Sequence, residues 1–295
     1  MDTSKTGARG WALALTAFAS FTVALDSLVT AAALTSIQRS FEASLAELQW
    51  TTNAYNLAFA LLLPVGAALG DRLGRKRIFV AGLVVFALSS VACAMSQSVI
   101  TLIVARALQG AGAALVMPMA LAILSVAYPA DIRGKALGIF GSITGLAPLS
   151  GPAIGGAISE AIHWTWIFWI NIPIVLLLVP LALARLEESH GVRSKLDIVG
   201  IVLIGDFSFA APWSLIRGHE IAWVCAQMPA SIRLALALLL GFVFWVRRAA
   251  DAIVPPRLFA AKGFGAGLIT AFCLYGALYA TLFSLTPFLL AATRV

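Results

Sequence analysis

Of 295 residues, 61% are hydrophobic and 11% charged, and the mean hydropathy is +0.97. A soluble domain, in which about 25% of residues carry charge, is excluded, leaving an all-α, polytopic membrane protein. The net charge of +7 does not point to nucleic acid, because the basic residues lie between apolar runs and build no basic arm.

Lys5 and Arg9 precede an apolar run at 11–34 that resembles a signal peptide. The run is too long for one and contains Asp26, so it is read as a retained first span. Nine spans are predicted, at 11–34, 48–69, 78–97, 100–124, 135–158, 166–184, 198–216, 230–247 and 266–290. Very short connections after the second, third and fifth favour a compact bundle of sequence-adjacent antiparallel helices. With the N-terminus inside, fifteen of the 20 cations fall in inner segments and three in outer ones, which satisfies the positive-inside rule. This implies a multi-pass protein with a cytoplasmic N-terminus. Cys93, Cys225 and Cys273 are widely spaced and suggest neither a disulfide framework nor a metal site.

Asp26 lies mid-span, with Thr22 and Thr30 one turn to either side. A carboxylate at that depth marks an ion or substrate path or else reaches water at the outer leaflet. In span two, Gln49, Asn53 and Asn56 form a polar stripe, with Trp50 and Tyr55 nearby; it either glues helices together or lines a cavity. Residues 69–77, Leu-Gly-Asp-Arg-Leu-Gly-Arg-Lys-Arg, make a tight inner hinge. Gly70 and Gly74 supply the conformational freedom, and Arg72, Arg75, Lys76 and Arg77 fix the side. Asp71, an anion near a helix C-terminus, needs a dedicated partner.

Span four buries Arg106, with Gln109 and Met117 on roughly the same face, and Asp26 is a candidate counter-ion. Gly110, Gly112, Ala113 and Ala114 form a seam for close packing. Span five is glycine-rich, and Pro152 is expected to kink it between Gly151 and the pair Gly155 and Gly156. Static packing and a sliding contact both suit such a face. His163, Trp164 and Trp169 are expected in an outer aromatic belt, followed by Asn171 and Pro173. Residues 185–197 read as an inner linker, span seven carries Asp206, and 251–262 reads as an interfacial segment. No paired carboxylates, His-Glu metal motif, Gly-x-Ser-x-Gly or phosphate loop is present, so no enzyme is expected.

Together these residues resemble the major facilitator superfamily, and within it the fourteen-span drug–proton antiporter branch. Residues 69–77 are similar to its signature loop, and Leu102-Ile-Val-Ala-Arg106-Ala-Leu-Gln109-Gly110-Ala-Gly112 to its helix-four motif. Gly151-Pro152-Ala-Ile-Gly155-Gly156 resembles the antiporter motif, and Leu25-Asp26 through Ala33-Leu34 the helix-one motif. Residues 164–168, with Asn171 and Pro173, also fit the branch. Departures are Ala67, Ala31, Thr35 and Thr165, where the family more often has Gly, Asn, Pro and Arg.

The resemblance implies a proton-driven exporter of small amphiphilic or cationic molecules in the bacterial inner membrane, working by alternating access. Its partners would be protons, membrane lipids and the substrate, with the proton gradient as energy source and no cofactor. Asp26, Arg106 and Gln109 would couple proton and substrate, and Thr22, Thr30, Gln49, Asn53, Asn56 and Met117 would line the cavity. Asp71, Arg72, Gly74 and Arg75 would form an inner gate, and Gly151, Pro152, Gly155 and Gly156 a flexing helix. The implied layout is a six-helix bundle (1–184), a cytoplasmic linker (185–197), two inserted helices with an interfacial segment (198–265) and the first helix of a second bundle (266–295). On this count the chain covers about two-thirds of such a transporter. A truncated membrane protein without transport of its own is the alternative.

Overall fold

The computed structural model describes residues 3–191, 197–220, 227–249, 263–274 and 276–277. Arg193, Lys195, Cys225, the expected interfacial segment at 251–262 and most of the ninth expected span lie outside the described residues.

Every regular element among the described residues is a helix. In chain order they are α1 (Thr3–Ala32), α2 (Leu34–Phe41), α3 (Leu45–Leu73), α4 (Arg75–Ala94), α5 (Val99–Ala127), α6 (Ala130–Gly145), α7 (Ala147–Ala161), α8 (Trp166–Trp169), α9 (Asn171–Arg185), α10 (Ile198–Glu220) and α11 (Gln227–Arg248). Among the described residues, six stretches are long and apolar enough to cross a membrane: Gly7–Ala32, Leu45–Leu73, Arg75–Ala94, Val99–Ala127, Ala130–Ser159 and Trp166–Arg185. Together they form a six-helix bundle, beside which α10 and α11 pair with each other while α10 rests on α3.

Local chemistry fixes the helix starts. Ser44 and Glu47 close a capping box at α3, and Ser98 with Thr101 closes one at α5. Gly74 alone separates α3 from α4, at φ +111°, a conformation that favours glycine. Gly70 has ordinary helical geometry, and its missing side chain makes room for Met119 of α5. Of the two hinge glycines, therefore, only Gly74 is needed for its backbone conformation.

The bundle is built around α5, which packs on its sequence neighbour α4 and equally on α3, one helix further back. Helices α3 and α4, although joined by one residue, lean on α5 far more than on each other. The seam on α5 is the reason. A Cβ at Gly110 would collide with the Tyr55 carbonyl of α3, and one at Gly112 would press on the Phe86 backbone of α4. Reciprocally, Gly66 and Gly82 let α3 and α4 approach α5 backbone to backbone.

Two further departures have local causes. The fifth crossing is interrupted at Leu146, between α6 and α7, and Pro152 lies within α7. Pro148, in the first turn of α7, has no N–H to continue the ladder from α6, and Gly145 weakens the preceding turn. Trp164 is not in a surface belt. It is buried, its indole N–H donates to Ser40 Oγ at 2.9 Å, and its ring meets Phe41 and Phe168 edge-on. Trp166 and Trp169 remain exposed.

The core divides into two apolar clusters stacked along the bundle. One gathers Leu15, Val23, Phe79, Phe86, Val116, Leu124 and Leu178, and the other Val29, Leu48, Cys93, Leu102 and Phe168. On α3, α4, α5 and α9 the residues between the two clusters are polar, and they meet in one layer.

Candidate functional site: a buried charge pair in a polar layer

Five segments converge on this layer, and the first expected pair lies at its centre. Asp26 of α1 is 2% exposed and Arg106 of α5 is 0% exposed. Their side chains meet at 2.5 Å, Arg106 Nη1 donating to Asp26 Oδ2. Burying two charges costs several kcal/mol per ion unless geometry and further hydrogen bonds compensate. Here the further bonds are extensive.

Asp26 Oδ1 accepts from Gln109 Nε2 at 3.0 Å and from Asn171 Nδ2 at 2.6 Å. Arg106 Nη1 also donates to Gln109 Oε1 at 2.6 Å, and its Nε to the Thr51 carbonyl at 3.3 Å. Both amides donate to Ser90 Oγ, at 3.0 and 2.9 Å, and Ser90 donates to the Phe168 carbonyl at 3.1 Å. Gln109 thus bridges acid, base and hydroxyl, which requires both ends of an amide. The guanidinium lies 4.2 Å from the Tyr55 ring centroid and 5.8 Å from that of Phe168, so aromatic faces complete its shell. Tyr55 in turn donates to the Val23 carbonyl at 3.0 Å, tying α3 to α1 just before Asp26. Arg106 Nη2 is buried and has no hydrogen-bond acceptor among the described residues.

The antiporter-like glycines abut the helix that carries the acid. A Cβ at Gly151 would press on Leu28, and one at Gly155 on Val29 and Ala32. Gly156 faces open space and Pro152 is exposed.

The expected cavity residues divide. Gln49 and Asn56 are exposed and Asn53 and Met117 are half-buried, Asn56 accepting a long 3.5 Å bond from Ser27. Thr22 and Thr30 are buried, with hydroxyls bonded to the Phe18 and Asp26 carbonyls of their own helix. They line no open surface in this structure, and each hydroxyl is satisfied on the preceding turn. Asp206 is exposed on α10.

At the hinge, Asp71 has the partner its position demanded. Arg75 Nη2 and Nε donate to Asp71 Oδ1 at 2.8 and 3.0 Å. The backbone of Lys76 and Arg77 is held from outside the hinge, by Glu188.

Ser90, Thr51 and Tyr55 belong to the site although the sequence did not single them out for it. The pair Ser89-Ser90 hides the choice, since Ser89 bonds its own helix at Val85 while Ser90 enters the polar layer. Asn171 was legible only as a residue that, with Pro173, fits the family branch; its bonds to Asp26 and Ser90 were not.

A six-helix membrane bundle with a sealed ion pair at its polar layer defines a polytopic membrane protein with an intramembrane ionic site. The chain belongs to the Major Facilitator Superfamily, whose family model matches residues 16–294. It is 34% identical over 269 residues to the tetracenomycin C resistance and export protein of Streptomyces glaucescens, covering 89% of this chain and 50% of that one. It is 36% identical over 270 residues to the cephamycin export protein CmcT of Amycolatopsis lactamdurans, covering 90% and 56%. To the multidrug transporter protein MdtP of Bacillus subtilis it is 32% identical over 249 residues, covering 83% and 46%. The chain spans about half the length of the curated relatives it matches. A crystal structure of a point variant of the peptide transporter POT with sulfate aligns at a TM-score of 0.59 with 17% identity, covering 81% of this chain and 52% of that one. At that identity the likeness concerns the fold.

Proposed function

We propose that this chain forms one of the two bodies of a proton-coupled exporter of small amphiphilic or cationic molecules, acting by alternating access in the bacterial inner membrane. The observation that carries the reading is the fully buried Asp26–Arg106 pair, since an intramembrane ion pair is retained for function more readily than for stability. The names of the relatives, which speak of antibiotic export and multidrug transport, support export of small molecules.

In this reading a proton reaching Asp26 neutralises the carboxylate and frees Arg106. Gln109 keeps one bond to the released guanidinium and the Tyr55 ring covers its face, so the charge stays sheltered while the helices rearrange. Helix α7 moves along α1 at Gly151 and Gly155, next to the titrating residue. Gln49, Asn53, Asn56 and Met117 contribute to the substrate surface, a mixed polar and soft apolar lining suited to amphiphiles. The proton gradient is the energy source, and membrane lipids are the surrounding partners.

The test is the pH dependence of binding of a fluorescent amphiphilic cation to the chain in lipid nanodiscs. Asp26→Asn is expected to remove the pH dependence and Arg106→Ala to weaken binding; unchanged binding and pH dependence in both variants remove the site assignment. Alternating access needs two bodies, so this chain alone is expected to bind but not to export. Robust efflux by the purified chain in vesicles would show otherwise.

A further inference from the structure

The start of α4 presents an electrostatic problem. Arg75, Lys76 and Arg77 open the helix, no acid lies in its first turn, and its N-cap Gly74 offers no side chain. Cations at a helix N-terminus oppose the macrodipole, and the leading N–H groups need acceptors.

A remote segment supplies them. Glu188 Oε1 accepts from the Lys76 backbone at 2.9 Å, across 112 positions of sequence, and Oε2 accepts from the Arg77 backbone at 3.3 Å. The Ser189 carbonyl accepts from the Arg75 backbone at 2.9 Å, and Gly74 itself donates to Gly70 at 3.0 Å. Every leading donor of α4 is thereby satisfied. The contact is reciprocal, for Lys76 Nζ donates to the Leu183 carbonyl at the end of α9 at 2.8 Å, and Gly191 donates to the Asp71 carbonyl at 3.1 Å. Two glycines make the fit. A Cβ at Gly74 would lie 2.7 Å from the Glu188 carboxyl, and one at Gly191 would overlap Asp71.

Residues 186–191 thus form a strap across the start of α4. Leu186, buried at 4% exposure, anchors its start in the core. On the other side, between the strap, the start of α1 and the end of α5, lies a cleft of about 260 Å³ lined by Arg9, Ile123, Val126 and Glu187 among others. Arg77, which pairs with Glu188 at 3.7 Å, is 77% exposed, so water reaches the contact.

We propose that residues 186–191 are a releasable clasp on the inner hinge, in which the Glu188 carboxylate caps α4 in place of a residue of its own turn. While closed, it makes the α3–α4 hinge and the end of α9 one unit; once released, both ends loosen together. This stands apart from proton coupling, because its test involves no transport.

The test is amide hydrogen exchange on the whole chain in lipid nanodiscs. In Glu188→Ala, the amides of 75–79 and of 186–191 are expected to exchange about fivefold faster than in the parent, the effect of losing one cap, while α5 stays protected. Glu187→Ala, in the same strap, is expected to leave 75–79 at the parental rate. Unchanged exchange at 75–79 in Glu188→Ala, or loosening of the strap without the hinge, overturns the clasp. Should α5 also lose protection in the alanine variant, Glu188→Gln decides by the same readout, and parental exchange at 75–79 overturns it.

Discussion

The Asp26–Arg106 pair shows how differently one side chain behaves with and without its partner. Each ion is sealed from water, so removing one leaves the other uncompensated, at a cost of about 3–5 kcal/mol. Replacing both by apolar side chains of similar volume avoids that penalty. Thermal unfolding in detergent is therefore expected to show a lower midpoint for Arg106→Ala than for the double variant Asp26→Leu with Arg106→Met. The reverse order would mean that the pair is not desolvated. Tyr55 separates two contributions at one position. Tyr55→Phe keeps the ring over the guanidinium and loses the bond to Val23, at about 0.6 kcal/mol. Tyr55→Leu loses both, so its midpoint is expected below that of Tyr55→Phe; equal midpoints would leave the stacked ring without energetic weight.

At the scale of elements, the bundle depends on where backbone meets backbone. Gly110 and Gly112 stand at the crossings of α5 with α3 and α4, where an added methyl meets main chain and nothing flexible can yield. Overpacking of this kind costs about 1–3 kcal/mol. Gly110→Ala is expected to lower the unfolding midpoint, while Gly141→Ala and Gly156→Ala, which face open space, are expected to leave it unchanged or raise it slightly. A tolerated Gly110→Ala would mean that α3 and α5 do not cross this closely. The seam residues of α5 were legible in the sequence as small side chains in an apolar run. That they bring together α3 and α4, which are joined by one residue but splay over α5, was not, because the sequence carries no partner label for a small face. The break at Leu146 was also missed. Both Pro148 and Pro152 were visible; the break falls just before Pro148, whereas α7 runs on through Pro152 with one ladder bond missing.

For the whole molecule, the distribution of cations makes a prediction about sidedness. If the positive segments stay inside, a cysteine at Glu187 and one at Gln97 lie on opposite faces of the membrane. In a background lacking Cys93, Cys225 and Cys273, an impermeant thiol reagent added to intact cells is expected to label Gln97→Cys and spare Glu187→Cys. Labelling of both, or of Glu187→Cys alone, would reverse or dissolve the proposed topology. The same layout explains why the polar layer lies where it does. With one apolar cluster on either side of it, the ion pair is sealed from solvent.

Hydropathy, cation placement and the spacing of buried charges were fixed by the chain itself, since each depends only on the cost of moving a side chain or an unpaired peptide group into hydrocarbon. The spans of the bundle, the hinge at 69–77 and the isolation of Asp26 and Arg106 in apolar runs followed from that cost. Which polar groups answer each other depended on tertiary packing. Ser90, Asn171 and Tyr55 join the pair because three further helices present them at one depth, and Glu188 reaches α4 because the chain folds back after α9. Hydrogen bonds are set by distances of a few ångströms between segments far apart in sequence, and a linear order of residues does not contain those distances.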